Sequence, residues 1–146
     1  MTYGGMSWKH TLELLERVPG LRLVFDTGNP VSSDDALAAD PVLTKQSAWE
    51  FYDHVKEHVV YVHIKDGLFK EGKVMYCWPG EGDGDVRRIC ADLLARGYSG
   101  GLSIEPHMGA VCHDPSVTTD TQTKYALYTE YGKRLMKLIH AVESGK

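Results

Sequence analysis

Residues 59–66 read VVYVHIKD, and the way this stretch ends decides the fold. Val59, Val60, Tyr61 and Val62 favour extended chain and read as a buried strand over 59–64. The run then delivers His63, Lys65 and Asp66 within four positions. Two other stretches share this form: LRLVFD (21–26) and GLSIE (101–105) are apolar strands that end in a carboxylate. Helical patterns lie between and around them. SWKHTLELLERV places Trp8, Leu12 and Leu15 on one face with Ser7 as N-cap, and Pro19-Gly20 closes it. A second helix is expected over 42–58, with Ala48, Phe51, Tyr52 and Val55 on its apolar face, and Trp49, Phe51 and Tyr52 are read as core aromatics. A third spans 86–98, with Asp85 at its start and Gly97 at its end. A last helix covers TKYALYTEYGKRLMKLIHAVES (123–144). The segment TGNPVSSDDALAADP reads as loop. The stretch 66–85 reads as a long loop holding a small hairpin with Glu71-Gly72-Lys73 at its tip.

Strand alternating with helix makes this an α/β chain of βα units with parallel strands, expected to form one domain over 1–146. Successive strand residues face opposite sides. Leu21, Leu23 and Phe25 are thus expected on one face and Arg22, Val24 and Asp26 on the other. Val60, Val62 and Ile64 oppose Tyr61, His63 and Lys65; Leu102 and Ile104 oppose Gly101, Ser103 and Glu105. One face of each strand suits a helix layer, and the other turns polar at its C-terminal end. Asp26, His63 and Glu105 would meet there, where sites in such folds lie. A lone strand-end histidine is more often an ordinary hydrogen-bonded residue. Three strands delivering two carboxylates and an imidazole at one end, on one face, instead suggest a mixed oxygen and nitrogen site for a divalent metal.

Composition narrows the function classes. The 146 residues carry a formal net charge of -4, which gives no basic footprint for nucleic acid. No apolar run approaches the roughly 20 residues that span a membrane. MTYGGMSWKH has no apolar leader pattern, so a cytoplasmic setting is expected. Cys77, Cys90 and Cys112 form no C-x-x-C pair and suggest neither a disulfide framework nor a thiolate zinc site. GEGDGD (80–85) lacks the Lys-Ser/Thr of a phosphate loop, and its three acidic side chains oppose an anion. It reads as a turn leading into an N-cap.

LRLVFDTGN, YVHIKD, WPGEGDGDV and GYSGGLSIEPH, in this order, resemble the last three strands of the xylose isomerase-like TIM barrels. That superfamily includes sugar-phosphate isomerases and epimerases, inosose dehydratases, ketose 3-epimerases and endonuclease IV-type repair enzymes. The resemblance implies that Asp26, His63 and Glu105 bind one divalent ion (Mn²⁺, Mg²⁺, Zn²⁺ or Co²⁺). It also implies that Glu105 moves a proton through an enediolate of a small carbohydrate. The family's fourth ligand, a Glu at the end of the fifth strand, falls before Ser7, where MTYGGM has no Glu. A whole barrel takes roughly 200–250 residues or more. The chain therefore resembles the C-terminal part of a (β/α)8 barrel, a partial barrel expected to act as a homo-oligomer or with a missing N-terminal half. An isolated chain of this kind is expected to be weakly active or inactive.

Three further residues are candidate substrate contacts. Asn29 stands where several family members place a histidine; it can hydrogen-bond a hydroxyl but cannot act as a base. Lys65 suits an enediolate or phosphate, or an ion pair with Asp66 or Glu81. His107 follows Glu105 by two positions. The alternatives to an isomerase or epimerase are an endonuclease IV-like phosphoesterase and a non-catalytic barrel fragment. The first needs a three-zinc cluster with additional histidines, and Asn29 and GDGDV do not supply them.

Overall fold

The structure, a computed structural model, describes residues 7–35, 38, 44–108 and 119–145. In chain order they form α1 (Trp8–Arg17), β1 (Leu23–Asp26), α2 (Asn29–Ser32), α3 (Ala48–Val55), β2 (Val59–Ile64), β3 (Gly67–Lys70), β4 (Lys73–Tyr76), α4 (Val86–Ala95), β5 (Gly101–Ile104) and α5 (Thr121–Glu143). β2 lies between β1 and β5 and is parallel to both; β3 and β4 form a separate antiparallel hairpin. Cys112 lies outside the described residues. No described helix is long and apolar enough to cross a membrane.

The helices cover one face of the three-stranded sheet. Phe25, Val62 and Ile64 point into that layer, against Ala48, Tyr52 and Val55 of α3, Val86, Ile89 and Leu93 of α4, and Tyr131, Leu135 and Leu138 of α5. Burying side chains of this size contributes about 1.5–3 kcal/mol each before entropy is subtracted. The polar atom that Tyr52 carries inward is satisfied, because its hydroxyl donates to Asp92 Oδ2 at 2.8 Å. The opposite face is open: Val24 is 58% exposed, and Val60 and Tyr61 are also exposed.

The expected alternation fails at one place, and the register gives the reason. Leu23 pairs with Val59, but Val24 pairs with Tyr61, so Val60 is an extra residue on β2. A bulge of this kind flips the side chains that precede it. Val59 is therefore buried and Val60 exposed, whereas from Tyr61 onward the expected faces hold.

Other differences are local. The helix expected over 42–58 is α3, starting only at Ala48, followed by one 3-10 turn over Lys56–His58. Its N-cap is Ser47, whose hydroxyl accepts from Glu50 N at 3.2 Å. Ser47-Ala48-Trp49-Glu50 is an S-x-x-E capping pattern, a signal the apolar spacing had obscured. The 27–41 loop contains the short helix α2, with Pro30 in its first turn. Ser7 does cap α1, accepting from His10 N at 3.3 Å. The hairpin is present, its two-residue turn formed by Glu71 and Gly72 at φ +52 and +79, the left-handed pair that fits tight hairpins. Asp85 stands at the N-cap position of α4, but at φ +49 and without capping that helix. Its Oδ2 instead accepts from Trp49 N at 3.2 Å, tying α4 to the start of α3.

Candidate metal centre

The parallel ladders bring three strand ends to one level. Asp26 pairs with His63, and His63 with Ser103. Glu105 extends the ladder past β5 by donating its N–H to Ile64 O at 3.0 Å. One ligand-type atom from each of Asp26, His63 and Glu105 lies within 4.8 Å of the others. Asp26 forms the floor, buried at 9% exposure, while His63 and Glu105 are half-buried at the mouth.

The two oxygens of Asp26 are used differently. Oδ1 accepts from Gly28 N at 2.8 Å and Asn29 N at 3.0 Å, serving the start of α2 as a strand-end Asp often does. Those bonds aim Oδ2 into the cluster, where Lys65 Nζ lies 2.9 Å away. The same ammonium lies 3.3 Å from Glu105 Oε2 and donates to Asn29 Oδ1 at 2.8 Å. Lys65 therefore pairs with Asp26 and Glu105, not with Asp66 or Glu81. Asp66 is enclosed by backbone amides, and Glu81 faces Arg134 at 3.3 Å.

These neighbours divide the protonation of the pair. Burial pushes the Asp26 carboxyl up to about 6; Lys65 opposes the rise and the hydrogen bond with Glu105 adds to it. Burial acts in the same direction on Glu105, but the hydrogen bond with Asp26 and the charge of Lys65 outweigh it and hold Glu105 below its usual range. Burial acts to lower Lys65, and the two carboxylates overcome it and raise that group. Of the two, Glu105 gives up its proton first, and Asp26 keeps one only up to about 6.

The donor set fits a divalent cation of borderline character: two carboxylate oxygens and one imidazole nitrogen. Tetrahedral ligands about 2.0–2.2 Å from such an ion lie about 3.3–3.6 Å apart, so a pair at the full 4.8 Å would close by about an ångström on binding.

The remaining candidates surround this point. Asn29 holds the ammonium, as above. His107 is buried, with Nε2 3.9 Å from Glu105 Oε1. Two neighbours escaped the sequence reading. Tyr76, the last residue of β4, sets its ring edge against His107, with centroids 4.9 Å apart. Thr27 clamps the Lys65 backbone: its Oγ1 donates to Lys65 O at 2.6 Å and accepts from Lys65 N at 3.0 Å.

Asp66 was also missed as an organiser. It is 1% exposed and accepts four backbone N–H bonds, from Gly67, Gly80, Gly82 and Gly84, at 2.8–3.1 Å. The glycines let the chain come this close: a Cβ on Gly82 would sit 2.3 Å from Asp66 Oδ1. GEGDGD is therefore a loop wrapped around a buried carboxylate. The signal was the spacing of its glycines, which reads like an anion cradle, and the anion it encloses is the chain's own.

Comparison with known proteins agrees with this architecture. The sequence profile of the xylose isomerase-like TIM barrels matches residues 1–143. The crystal structure of a xylose isomerase domain protein from Planctomyces limnophilus is similar, with a TM-score of 0.52 and 26% sequence identity. The likeness covers 92% of this chain and 46% of that one, so the chain spans less than half the length of that protein. No curated protein matches.

Proposed function

The chain belongs to the xylose isomerase-like TIM barrel family, and on that premise we propose that it carries the metal-binding mouth of an isomerase or epimerase acting on a sugar, sugar phosphate or cyclitol. The observation that carries the reading is the convergence of Asp26, His63 and Glu105 at the C-terminal ends of three parallel strands. When bound there, a divalent cation polarises a substrate carbonyl and acidifies the neighbouring C–H. Glu105 is the proton carrier, since it is the half-exposed carboxylate and its environment keeps it ionised. Lys65 supplies positive charge beside the developing enediolate, and Asn29 offers an amide to a substrate hydroxyl. His107 backs Glu105 from beneath.

The chain corresponds to under half of its structural neighbour, so turnover by the complete protein is part of this proposal. The open face, with Val24, Val60 and Tyr61, and the outer edges of β1 and β5 are surfaces for further strands. A second copy, or a polypeptide carrying the rest of the barrel, is the expected cover. Light scattering on the eluting protein should give a mass above the 16.3 kDa of one chain. A monodisperse, cooperatively folded monomer would count against this assembly.

Calorimetric titration with Mn²⁺, followed by a panel of ketoses and cyclitols, tests the function. The expected result is one ion per chain, lost on Asp26→Ala, His63→Ala or Glu105→Ala. Turnover should be weak for the chain alone and restored in the completed assembly. Three zinc ions per chain with phosphodiester cleavage would favour the endonuclease-like alternative. Unchanged uptake in all three variants would remove the metal reading.

A further inference from the structure

The side chain of Lys65 is held where a cation would bind, and the chain is shaped to hold it there. Its ammonium lies 2.9 Å from Asp26 Oδ2 and 3.3 Å from Glu105 Oε2, bridging two of the three candidate ligands. Residues 27–29 grip it along its length. Thr27 clamps its backbone on both sides, and Asn29 Oδ1 accepts from its Nζ. Gly28 lies against its stem so closely that a Cβ there would sit 2.8 Å from Lys65 Cγ and 3.0 Å from Cε. At φ -93 the backbone of Gly28 would accept alanine, so the glycine serves contact with the lysine rather than a left-handed turn.

We propose that Lys65 is an internal counter-ion of the metal site: its ammonium occupies the space between Asp26 and Glu105, must withdraw from Asp26 before a divalent cation can bind, and thereby sets the affinity of the site. This rests on the metal reading above. The physics is competition between cations for the same oxygens, together with repulsion between any bound ion and an ammonium a few ångströms away. In the cation-free state the lysine compensates two carboxylates that would otherwise face each other across a partly buried site. When an ion enters, the ammonium retains Asn29 and swings toward the substrate side, so charge is present there only in the loaded state. By this argument Lys65 sets the affinity of the site, in addition to the charge it offers the substrate, and cation binding without substrate reads the first role alone.

The test is Mn²⁺ titration of the purified chain by calorimetry, with no substrate present. Lys65→Gln should bind Mn²⁺ at least about tenfold more tightly than the parent, since both competition and repulsion are gone. Lys65→Arg, which keeps the charge, should remain as weak as the parent or weaker. If Lys65→Gln does not fold, Gly28→Ala carries the test: its methyl displaces the lysine stem while every charge is retained, and it should tighten Mn²⁺ by a smaller factor. Parent binding that depends on Asp26, His63 and Glu105, with affinity unchanged or weaker in both Lys65→Gln and Gly28→Ala, would overturn the inference and leave the metal site standing. Absence of Mn²⁺ binding in the parent and in every variant would remove both.

Discussion

Two aspartates at the end of neighbouring strands, Asp26 and Asp66, are both buried, yet they are satisfied in opposite ways. Asp66 accepts four backbone amides from a loop that closes over it. Asp26 gives one oxygen to two amides and turns the other toward side chains that can move: the ammonium of Lys65, which donates to it, and Glu105, which accepts when Asp26 is protonated. Backbone donors are fixed once the fold is made, so Asp66 is locked and its role is architectural. Side-chain donors can be exchanged for a ligand, so Asp26 sits where chemistry is possible. Burial alone does not separate the two; the identity of the donors does. Asp85 is a third, weaker case, reaching a single amide, that of Trp49.

The sharpest way to break this comparison is Asp66→Ala. It strips the acceptor from four buried or partly buried N–H groups, and each donor left unsatisfied costs about 1–3 kcal/mol. A loss of about 4 kcal/mol or more is expected, a large share of the roughly 5–15 kcal/mol that holds an ordinary domain folded. Urea denaturation followed by circular dichroism measures it. A loss below about 1 kcal/mol would show that the loop does not depend on its carboxylate.

Asp26→Ala should invert the pattern. Its effect on folding should be the smaller of the two, while Mn²⁺ affinity falls by about a hundredfold or more, as expected when one of three protein ligands is lost. Equal damage to stability from both substitutions would erase the distinction between locked and exchangeable carboxylates.

The same contrast predicts a pH dependence. Burial lets Asp26 keep its proton up to about 6 in the folded chain, above the ordinary carboxyl value of 3.8. Its contribution to stability is therefore fully present below pH 3.8 and is lost as pH rises through about 6. Cation binding has the opposite sign, because the ion must displace that proton. Mn²⁺ affinity should fall by roughly tenfold per pH unit below the Asp26 pKa and level off above it. An affinity that stays flat from pH 7 to about 5 would show that Asp26 is not a ligand.

The smallest effect belongs to Asp85→Ala, at about 1 kcal/mol. Its signature is positional: the Trp49 amide at the start of α3 should exchange faster, although Asp85 precedes α4. Faster exchange only at the first turn of α4 would contradict the cross-helix bond.

Much of the scaffold was legible in the sequence because period-two apolar runs with polar tips have few alternatives. The three strands, the hairpin tip at Glu71-Gly72 and the caps at Ser7 and Gly97 all followed from local chemistry. The common end of Asp26, His63 and Glu105 followed from strand direction and side-chain alternation. What was hidden required knowledge of pairing. The bulge at Val60 depends on how β1 lies against β2, which no single strand states. The partners of Lys65 lie 36 to 40 residues away along the chain, and sequence proximity pointed to Asp66 instead. The role of Asp66 depends on a loop folding back over it, and the glycine spacing that permits this is the same spacing that binds external anions.

The bridges around Lys65 also bear on the order of events during folding. Thr27 and Lys65 are 38 residues apart, and Lys65 and Glu105 are 40. Loop-closure entropy grows slowly with length, so the two closures cost nearly the same. Both end on β2, so neither outer strand can dock until that central strand is in place. The ligand cluster comes into being only when the second closure is complete, and a cation that recognises it therefore binds the assembled sheet and not its precursors. Such an ion raises the apparent stability by mass action. If the cluster closes after the folding transition state, the ion acts chiefly by slowing unfolding and leaves the rate of folding nearly unchanged.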